Sequence, residues 1–73
     1  MKLGATIKAM REEIGMTQTV LAYESDISRK TLIAYEKDRH SPRTNDLEQI
    51  AAALKTTAWK IVNKANLNRN SEP

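Results

Sequence analysis

Apolar residues near the start of the chain recur at helical spacing. Leu3, Ile7, Met10 and Ile14 are separated by four, three and four residues, which places them on one face of a helix. Gly15 follows directly and is expected to end this helix in a left-handed conformation. The pattern therefore predicts a first amphipathic helix with these four side chains on its apolar face.

Residues 17–37 contain two shorter periodic segments with a polar break between them. Thr17 is placed to cap a second helix, whose buried side is Leu21 and Ala22, and the pattern breaks at Ser25 and Asp26.

The next segment begins at Ser28, a second favourable N-cap. Leu32 and Tyr35 form the apolar side of a third helix that runs to about Lys37, and Asp38 is expected to end it.

The segment "DRHSPR" has the composition of a surface turn, because Pro42 cannot continue a helix from the residues before it. Thr44 or Asn45 then caps a fourth helix, and "NDLE" has the spacing of a capping box. The core positions of this helix are expected to be Leu47, Ile50, Ala51 and Leu54.

Thr56 or Thr57 can cap a fifth helix that contains Trp59, Ile61 and Val62. Polar residues dominate after it, so we expect one domain over residues 1–66 and a polar tail over 67–73.

Composition limits the class of protein. A chain of 73 residues supports one core, and the absence of cysteine excludes disulfides and thiolate metal sites. Phe is absent and β-branched residues are scattered singly, which favours helices over a sheet. No segment is apolar enough for a signal peptide or a membrane span, so we expect an all-α, cytoplasmic protein.

The positive charge is concentrated in one segment. Residues 28–43 hold five basic and two acidic residues, which equals the net charge of +3 for the whole chain. A neutral scaffold with one basic patch suits a polyanionic partner.

The short connection within residues 17–37 forces the second and third helices to cross at a large angle. This is a helix-turn-helix, in which the second helix of the pair enters the major groove of DNA with its N-terminal residues towards the bases.

The motifs "MREEIGMTQTVLA", "ISRKTLIAYEKDRHSP" and "LEQIAAAL" resemble, with the same spacing, the Cro and phage-repressor type of helix-turn-helix proteins, the XRE-like family. The resemblance covers roughly residues 3–62. It implies a five-helix, lambda-repressor-like DNA-binding domain.

The resemblance also implies roles for individual residues. Base contacts are expected from Ser28, Arg29, Lys30, Ile33 and Ala34. Arg29 suits a bidentate contact to guanine, and Lys30 could contact a guanine or a phosphate. Ile33 could contact a thymine methyl or pack against a neighbouring part of the protein. Phosphate contacts are expected from Thr17, Gln18, Lys37, Arg39 and Arg43.

The resemblance assigns structural roles as well. Gln18 would brace the first residue of the third helix, and Arg11 and Glu36 would form an ion pair between the first and third helices. The sequence departs from the family where glycine is frequent, at Asp26 and Asp38, and it has Ser25 at a usually apolar position.

Other interpretations of these residues are weaker or remain open. His40 lies in a loop without metal-ligand spacing, so we expect an exposed histidine and no metal or other cofactor. Trp59 fits either the core or an interface. One histidine, no cysteine and no phosphate loop argue against an enzyme.

These expectations combine into a transcriptional regulator that binds double-stranded DNA at a pseudo-palindromic operator, a repressor of a phage, plasmid or other mobile element. We expect it to be nucleoid-associated in a bacterial or phage-infected cell. One recognition helix reads few base pairs, so a homodimer is expected, with its interface at Trp59, Val62 and Leu67. The alternatives are a restriction-modification controller, or an antitoxin or adaptor with a protein partner.

Overall fold

The computed structural model describes the backbone of residues 2–70 and the side chains of residues 2–66. This part of the chain is five α-helices without a strand. The helices are α1 (Leu3–Glu13), α2 (Gln18–Glu24), α3 (Arg29–Glu36), α4 (Thr44–Ala53) and α5 (Ala58–Asn70). The predicted all-α class and helix-turn-helix are confirmed.

One core connects all five helices, since each contributes one fully buried aliphatic side chain. These side chains are Ile7, Leu21, Leu32, Ile50 and Ile61. Four of them, Ile7, Leu21, Leu32 and Ile50, lie on the apolar sides predicted from spacing, and Ile61 lies in the predicted fifth helix. Because each helix shares this core, the helix pair α2–α3 is supported by α1 and α4.

The buried face of α1 differs from the prediction at its end. Ile14 is 53% exposed and is the C-cap residue of α1, one residue beyond the last helical position. Thr6 is buried in α1 next to Ile7, and its hydroxyl donates to the carbonyl oxygen of Lys2 at 3.0 Å. The predicted packing of Ile14 is therefore wrong.

Side-chain caps form at the start of three helices. The N–H of Val20 donates to Thr17 Oγ1 at 3.2 Å, that of Thr31 to Ser28 Oγ at 3.0 Å, and that of Lys60 to Thr57 Oγ1 at 3.2 Å. The predicted caps Thr17 and Ser28 are confirmed, and of Thr56 and Thr57 it is Thr57 that caps α5.

The predicted cap of α4 is wrong. Arg43 holds the N-cap position without a side-chain cap bond, so Thr44 and Asn45 are already helical and the capping box does not form. An N-cap must have an extended backbone, which Arg43 has, with φ −67° and ψ 153°.

Helix α5 is longer than predicted. It continues to Asn70, so residues 67–70 are helical and do not belong to an irregular tail. Backbone hydrogen bonds do not require apolar side chains, and none of these four residues is Gly or Pro. Residues 71–73 of the predicted tail lie outside the described residues, and the division at residue 66 stays a prediction.

The first four helices end in the same way. In each, the second residue after the helix has a left-handed backbone, and its N–H and the next one bond back to carbonyls of the last turn, as in a Schellman motif. The left-handed residues are Gly15 (φ 72°), Asp26 (φ 59°), Asp38 (φ 57°) and Lys55 (φ 62°). Nothing in the sequence predicted the left-handed backbone of Lys55.

Candidate nucleic-acid interface

The exposed start of α3 is the centre of the candidate site. Ser28 Oγ accepts from the N–H of Thr31 at 3.0 Å and donates to Thr31 Oγ1 at 2.8 Å, which fixes the first helical turn. Arg29 and Lys30 lie on this turn and are exposed. The Ser28 hydroxyl therefore serves as the cap, and its proton is already used within the protein.

A concave surface, here called the Arg29 groove, lies along the exposed side of α3. It brings two residues of the following loop beside four residues of the helix. Its lining residues are Arg29, Lys30, Ile33, Ala34, Arg39 and His40. Four of the five predicted base contacts and one predicted phosphate contact thus share one surface. Ile33 and Ala34 are half-buried in it.

A second concave surface, here called the loop groove, lies between α3 and the start of α4. Lys30 and Ala34 line it from the helix, together with Thr31 and Tyr35, and the other side consists of His40, Ser41, Arg43, Asn45 and Asp46. Arg43 is thereby placed on the same side of the molecule as Lys30. Lys37 is exposed at the end of α3 but lines neither groove.

The ion pair expected from the resemblance is present in the structure. Arg11 Nε lies 2.7 Å from Glu36 Oε2 and Arg11 Nη2 lies 3.1 Å from Glu36 Oε1, so the pair is bidentate, and both residues are buried. Arg11 Nη1 also donates to the carbonyl oxygen of Met16 at 2.8 Å. Hydrogen bonding to Glu36 raises the pKa of Arg11, although burial acts in the opposite direction.

Gln18 joins this network at a different place than expected. Its Nε2 donates to Glu36 Oε1 at 3.0 Å, so Gln18 braces the last residue of α3 and not the first. Packing brings the start of α2 to the end of α3, which sequence spacing alone does not determine. Since Nε2 carries two protons, one N–H remains for a phosphate. Thr17, in contrast, uses its hydroxyl oxygen to cap α2 and is exposed.

Two further contacts hold α3 and were missed from the sequence. The Tyr35 hydroxyl donates to Asp46 Oδ2, which ties α3 to α4 under the loop groove. This hydrogen bond, followed by burial, raises the pKa of Tyr35. Because a buried tyrosine hydroxyl usually has a hydrogen-bond partner, the predicted core position of Tyr35 was a reason to look for such a partner in the sequence.

The second missed contact connects α1 to the end of α3. The N–H of Gly4 donates to Asp38 Oδ1 at 2.9 Å. Nothing in the local sequence indicates it, because the two residues are 34 positions apart.

Helix α5 presents two exposed apolar side chains one turn apart. Trp59 is 71% exposed and Val62 is 38% exposed, whereas Ile61 between them is buried. Trp59 is therefore not a core residue. The third predicted interface residue, Leu67, lies outside the residues whose side chains the structure describes.

Within residues 2–70, no helix is sufficiently long and apolar to pass through a bilayer. The same part of the chain has no group of three or more His, Asp or Glu side chains arranged to hold a metal ion.

The fold and the exposed basic start of α3 define a helix-turn-helix domain. A family model described as helix-turn-helix matches residues 7–59. The chain belongs to this helix-turn-helix family, of the Cro and phage-repressor, XRE-like type.

The immunity repressor protein of Bacillus phage phi105 is 36% identical over 72 residues, which cover 99% of this chain and 50% of the relative. The chain thus spans about half the length of that relative.

Two solved structures are similar in fold. A variant of the restriction-modification controller protein C.Esp1396I matches with a TM-score of 0.87 and 25% identity, over 97% of this chain and 92% of the controller. The DNA-binding domain of the P22 C2 repressor matches with a TM-score of 0.81 and 19% identity, over 85% of this chain and 82% of the domain. The predicted five-helix, lambda-repressor-like fold is confirmed.

Proposed function

We propose that this protein is a sequence-specific transcriptional regulator that binds double-stranded DNA through α3. The observation that carries this proposal is the exposed pair Arg29 and Lys30 on the first turn of α3, at the edge of two grooves that also contain Arg39 and Arg43. An α-helix fits the major groove of DNA, and Arg or Lys at its N-terminal turn can bond guanine O6 and N7.

Helix stability does not explain this basic pair. The N-terminus of a helix carries partial positive charge, so each exposed cation there is unfavourable by about 0.3 to 1 kcal/mol. No acidic residue lies in the first turn of α3 to offset it. A polyanion bound at this turn would remove the cost, which supports a nucleic-acid partner.

The division of contacts follows from the two grooves. In the Arg29 groove, Ile33 offers an apolar surface to a thymine methyl, next to the guanine donors of Arg29 and Lys30. In the loop groove, Arg43 supplies an exposed cation for a phosphate of the DNA backbone, and Gln18 offers one free N–H to a phosphate from the other end of α3.

A dimer is the second part of the proposal. One recognition helix reads only a few base pairs, and two subunits on a two-fold axis would read half-sites about 34 Å apart. Trp59 and Val62 expose apolar surface on α5, and Leu67 follows Trp59 by eight residues in the same helix. The proposal includes a pseudo-palindromic operator and repression by blocking polymerase, in the cytoplasm. The similarity to a phage immunity repressor supports repression.

In vitro selection of DNA from a random pool tests the proposal. We expect an inverted repeat whose half-sites are separated by about one helical turn and contain guanine. The variant R29A should lose the guanine preference, whereas K8A, which removes an exposed lysine of α1 outside both grooves, should recover the same sequence. Recovery of no preferred sequence by the unchanged protein would refute sequence-specific binding.

One observation favours a restriction-modification controller as a second candidate. The C.Esp1396I controller matches this chain in fold with a TM-score of 0.87 and 25% identity. The neighbouring genes distinguish the two candidates, since a controller would adjoin a methyltransferase and an endonuclease. An antitoxin or adaptor would instead co-purify with a stoichiometric protein partner from its host.

A further inference from the structure

We propose that His40 is a further DNA contact and that its protonation is coupled to DNA binding. This inference rests on the proposed function. His40 is the only histidine of the chain, and histidine is the side chain that most readily changes charge between about pH 5 and 8.

The position of His40 separates it from an ordinary loop histidine. It is exposed, and it lines both the Arg29 groove and the loop groove, which it shares with Lys30 and Ala34. The imidazole is therefore adjacent to the residues expected to contact bases and to those expected to contact phosphates.

The backbone before His40 is held by α3. The N–H of Asp38 donates to the carbonyl oxygen of Tyr35 and the N–H of Arg39 to that of Ala34, both at 3.0 Å. Pro42 restricts the backbone two residues later. A side chain on a restrained turn loses less entropy when it binds than one on a free loop.

The charges around His40 are mostly positive. Arg29 and Lys30 face it from α3, Arg39 and Arg43 come from the loop, and Asp46 is the acidic residue of α4 in the loop groove. Asp46 is engaged by the Tyr35 hydroxyl. Phosphate groups entering these grooves would neutralise the cations and add negative charge beside the imidazole.

Negative charge within about 4 to 6 Å favours the protonated form of histidine. Bound DNA is therefore expected to take up a proton at His40. Because linkage is reciprocal, protonation of His40 must then increase affinity for DNA. Coupling to a single proton can change affinity by at most about tenfold per pH unit.

The test measures DNA affinity between about pH 6 and pH 8 at constant ionic strength, the range in which histidine titrates. The probes are the duplex recovered by selection and a random-sequence duplex of the same length at low salt. We expect the affinity of the unchanged protein to rise about three- to tenfold as the pH falls over this range.

Two variants separate charge from shape. H40Q keeps a polar side chain without a titratable proton and should lose the rise. H40R carries a fixed positive charge. At about pH 8 it should bind DNA as tightly as the unchanged protein does at about pH 6. The α-amino group also titrates near this range, but it is common to all three proteins, so their difference isolates residue 40.

Calorimetry provides a second measurement. The binding enthalpy of the unchanged protein should depend on the ionisation enthalpy of the buffer more strongly than that of H40Q, and the difference reports the proton at residue 40. A pH profile of H40Q identical to that of the unchanged protein would overturn the inference, as would H40R binding no more tightly than H40Q. DNA binding without any pH dependence overturns this inference alone, whereas no binding to either duplex overturns the proposed function as well.

Discussion

Asp38 and Gly4 join the end of α3 to the start of α1. The N–H of Gly4, in the first turn of α1, donates to Asp38 Oδ1 at 2.9 Å and so satisfies a donor that a helix N-terminus leaves unpaired. A Cβ at residue 4 would overlap the carbonyl oxygen of Tyr35, so the approach requires glycine. The left-handed Asp38 therefore has a tertiary role in addition to ending the helix.

This contact predicts different effects of glycine at three left-handed positions. D26G and K55G should stabilise the fold by about 0.5 to 1 kcal/mol, because glycine adopts positive φ without the steric cost that other residues have. D38G gains the same backbone freedom but loses the bond to Gly4, which contributes about 0.5 to 1.5 kcal/mol, so it should be neutral or destabilising. Urea denaturation measures all three.

D38N is the matched control, since an asparagine retains an acceptor oxygen for Gly4. It should be more stable than D38G if the bond matters. Equal stabilisation by D38G and D26G would show that the Asp38 carboxylate contributes nothing to α1.

Ser25 predicts a stabilising substitution. It is fully buried, and its hydroxyl has no hydrogen-bond partner in the described part of the chain. An unsatisfied buried polar group is unfavourable by about 1 to 3 kcal/mol, so S25A should raise the melting temperature. S28A is the matched control, because it removes an N-cap and should lower stability by about 1 kcal/mol. A lower melting temperature for S25A would mean that the hydroxyl has a partner, such as a buried water.

Local patterns predicted most of the fold. The caps Thr17 and Ser28 and the core residues such as Ile7 and Leu32 depend on spacing within one helix, which the sequence displays directly. The prediction for Ile14 was wrong because periodicity within one helix does not show whether a neighbouring helix covers the residue at its end; Leu54, also a C-cap residue, is covered and buried.

Contacts between helices could not be predicted in the same way. Gly4–Asp38 and Tyr35–Asp46 depend on the distance and angle at which packed helices meet, and no spacing encodes those. The Arg11–Glu36 pair was expected only from the family resemblance. The contact of Gln18 was predicted at the first residue of α3 and occurs at the last. A side-chain amide can bond at either end of a helix, and the packing of the helices determines which end it reaches.

Tyr35 predicts a pH-dependent contribution to stability. The hydrogen bond to Asp46, with burial, raises the pKa of Tyr35. Its folded pKa lies above the unfolded value of about 10, so the contribution is fully present below about pH 10 and is lost as the pH rises through the folded pKa. Y35F should lower the free energy of unfolding by about 1 to 2 kcal/mol at neutral pH, and the gap to the unchanged protein should shrink above about pH 10.

Y23F is the control for Tyr35, because Tyr23 is 85% exposed. Its stability should follow that of the unchanged protein at every pH. A Y35F deficit that stays constant up to high pH would show that the proton of Tyr35 is not linked to folding.

The network at Glu36 predicts a hierarchy of stability losses. Removal of one partner of a buried ion pair costs about 3 to 5 kcal/mol, so E36Q should unfold much of a domain this small. Q18A removes one bond of a half-buried amide and should cost about 1 kcal/mol. Thermal melts followed by circular dichroism distinguish these losses.

The double variant R11M/E36L tests the origin of the loss. Replacing both charges with apolar side chains leaves no unpaired buried charge, so the double variant should be more stable than E36Q. If it is no more stable than E36Q, the loss in E36Q does not come from the unpaired charge of Arg11. The attraction between Arg11 and Glu36 outweighs the cost of their burial if the double variant is less stable than the unchanged protein.

The two grooves predict two kinds of DNA-binding defect. R29A and K30A should retain helix content and reduce discrimination by about 1 to 3 kcal/mol for each base that the protein no longer touches. R43A in the loop groove, and K37A at the end of α3 outside both grooves, should weaken binding similarly for all sequences and reduce the slope of log affinity against log salt by about 0.9 for each phosphate that is no longer neutralised. Affinity measured for selected and scrambled duplexes at several salt concentrations separates the two defects. Unchanged specificity in R29A and K30A would place base recognition outside the first turn of α3, and an unchanged salt slope in R43A would remove the loop groove from the path of the DNA backbone.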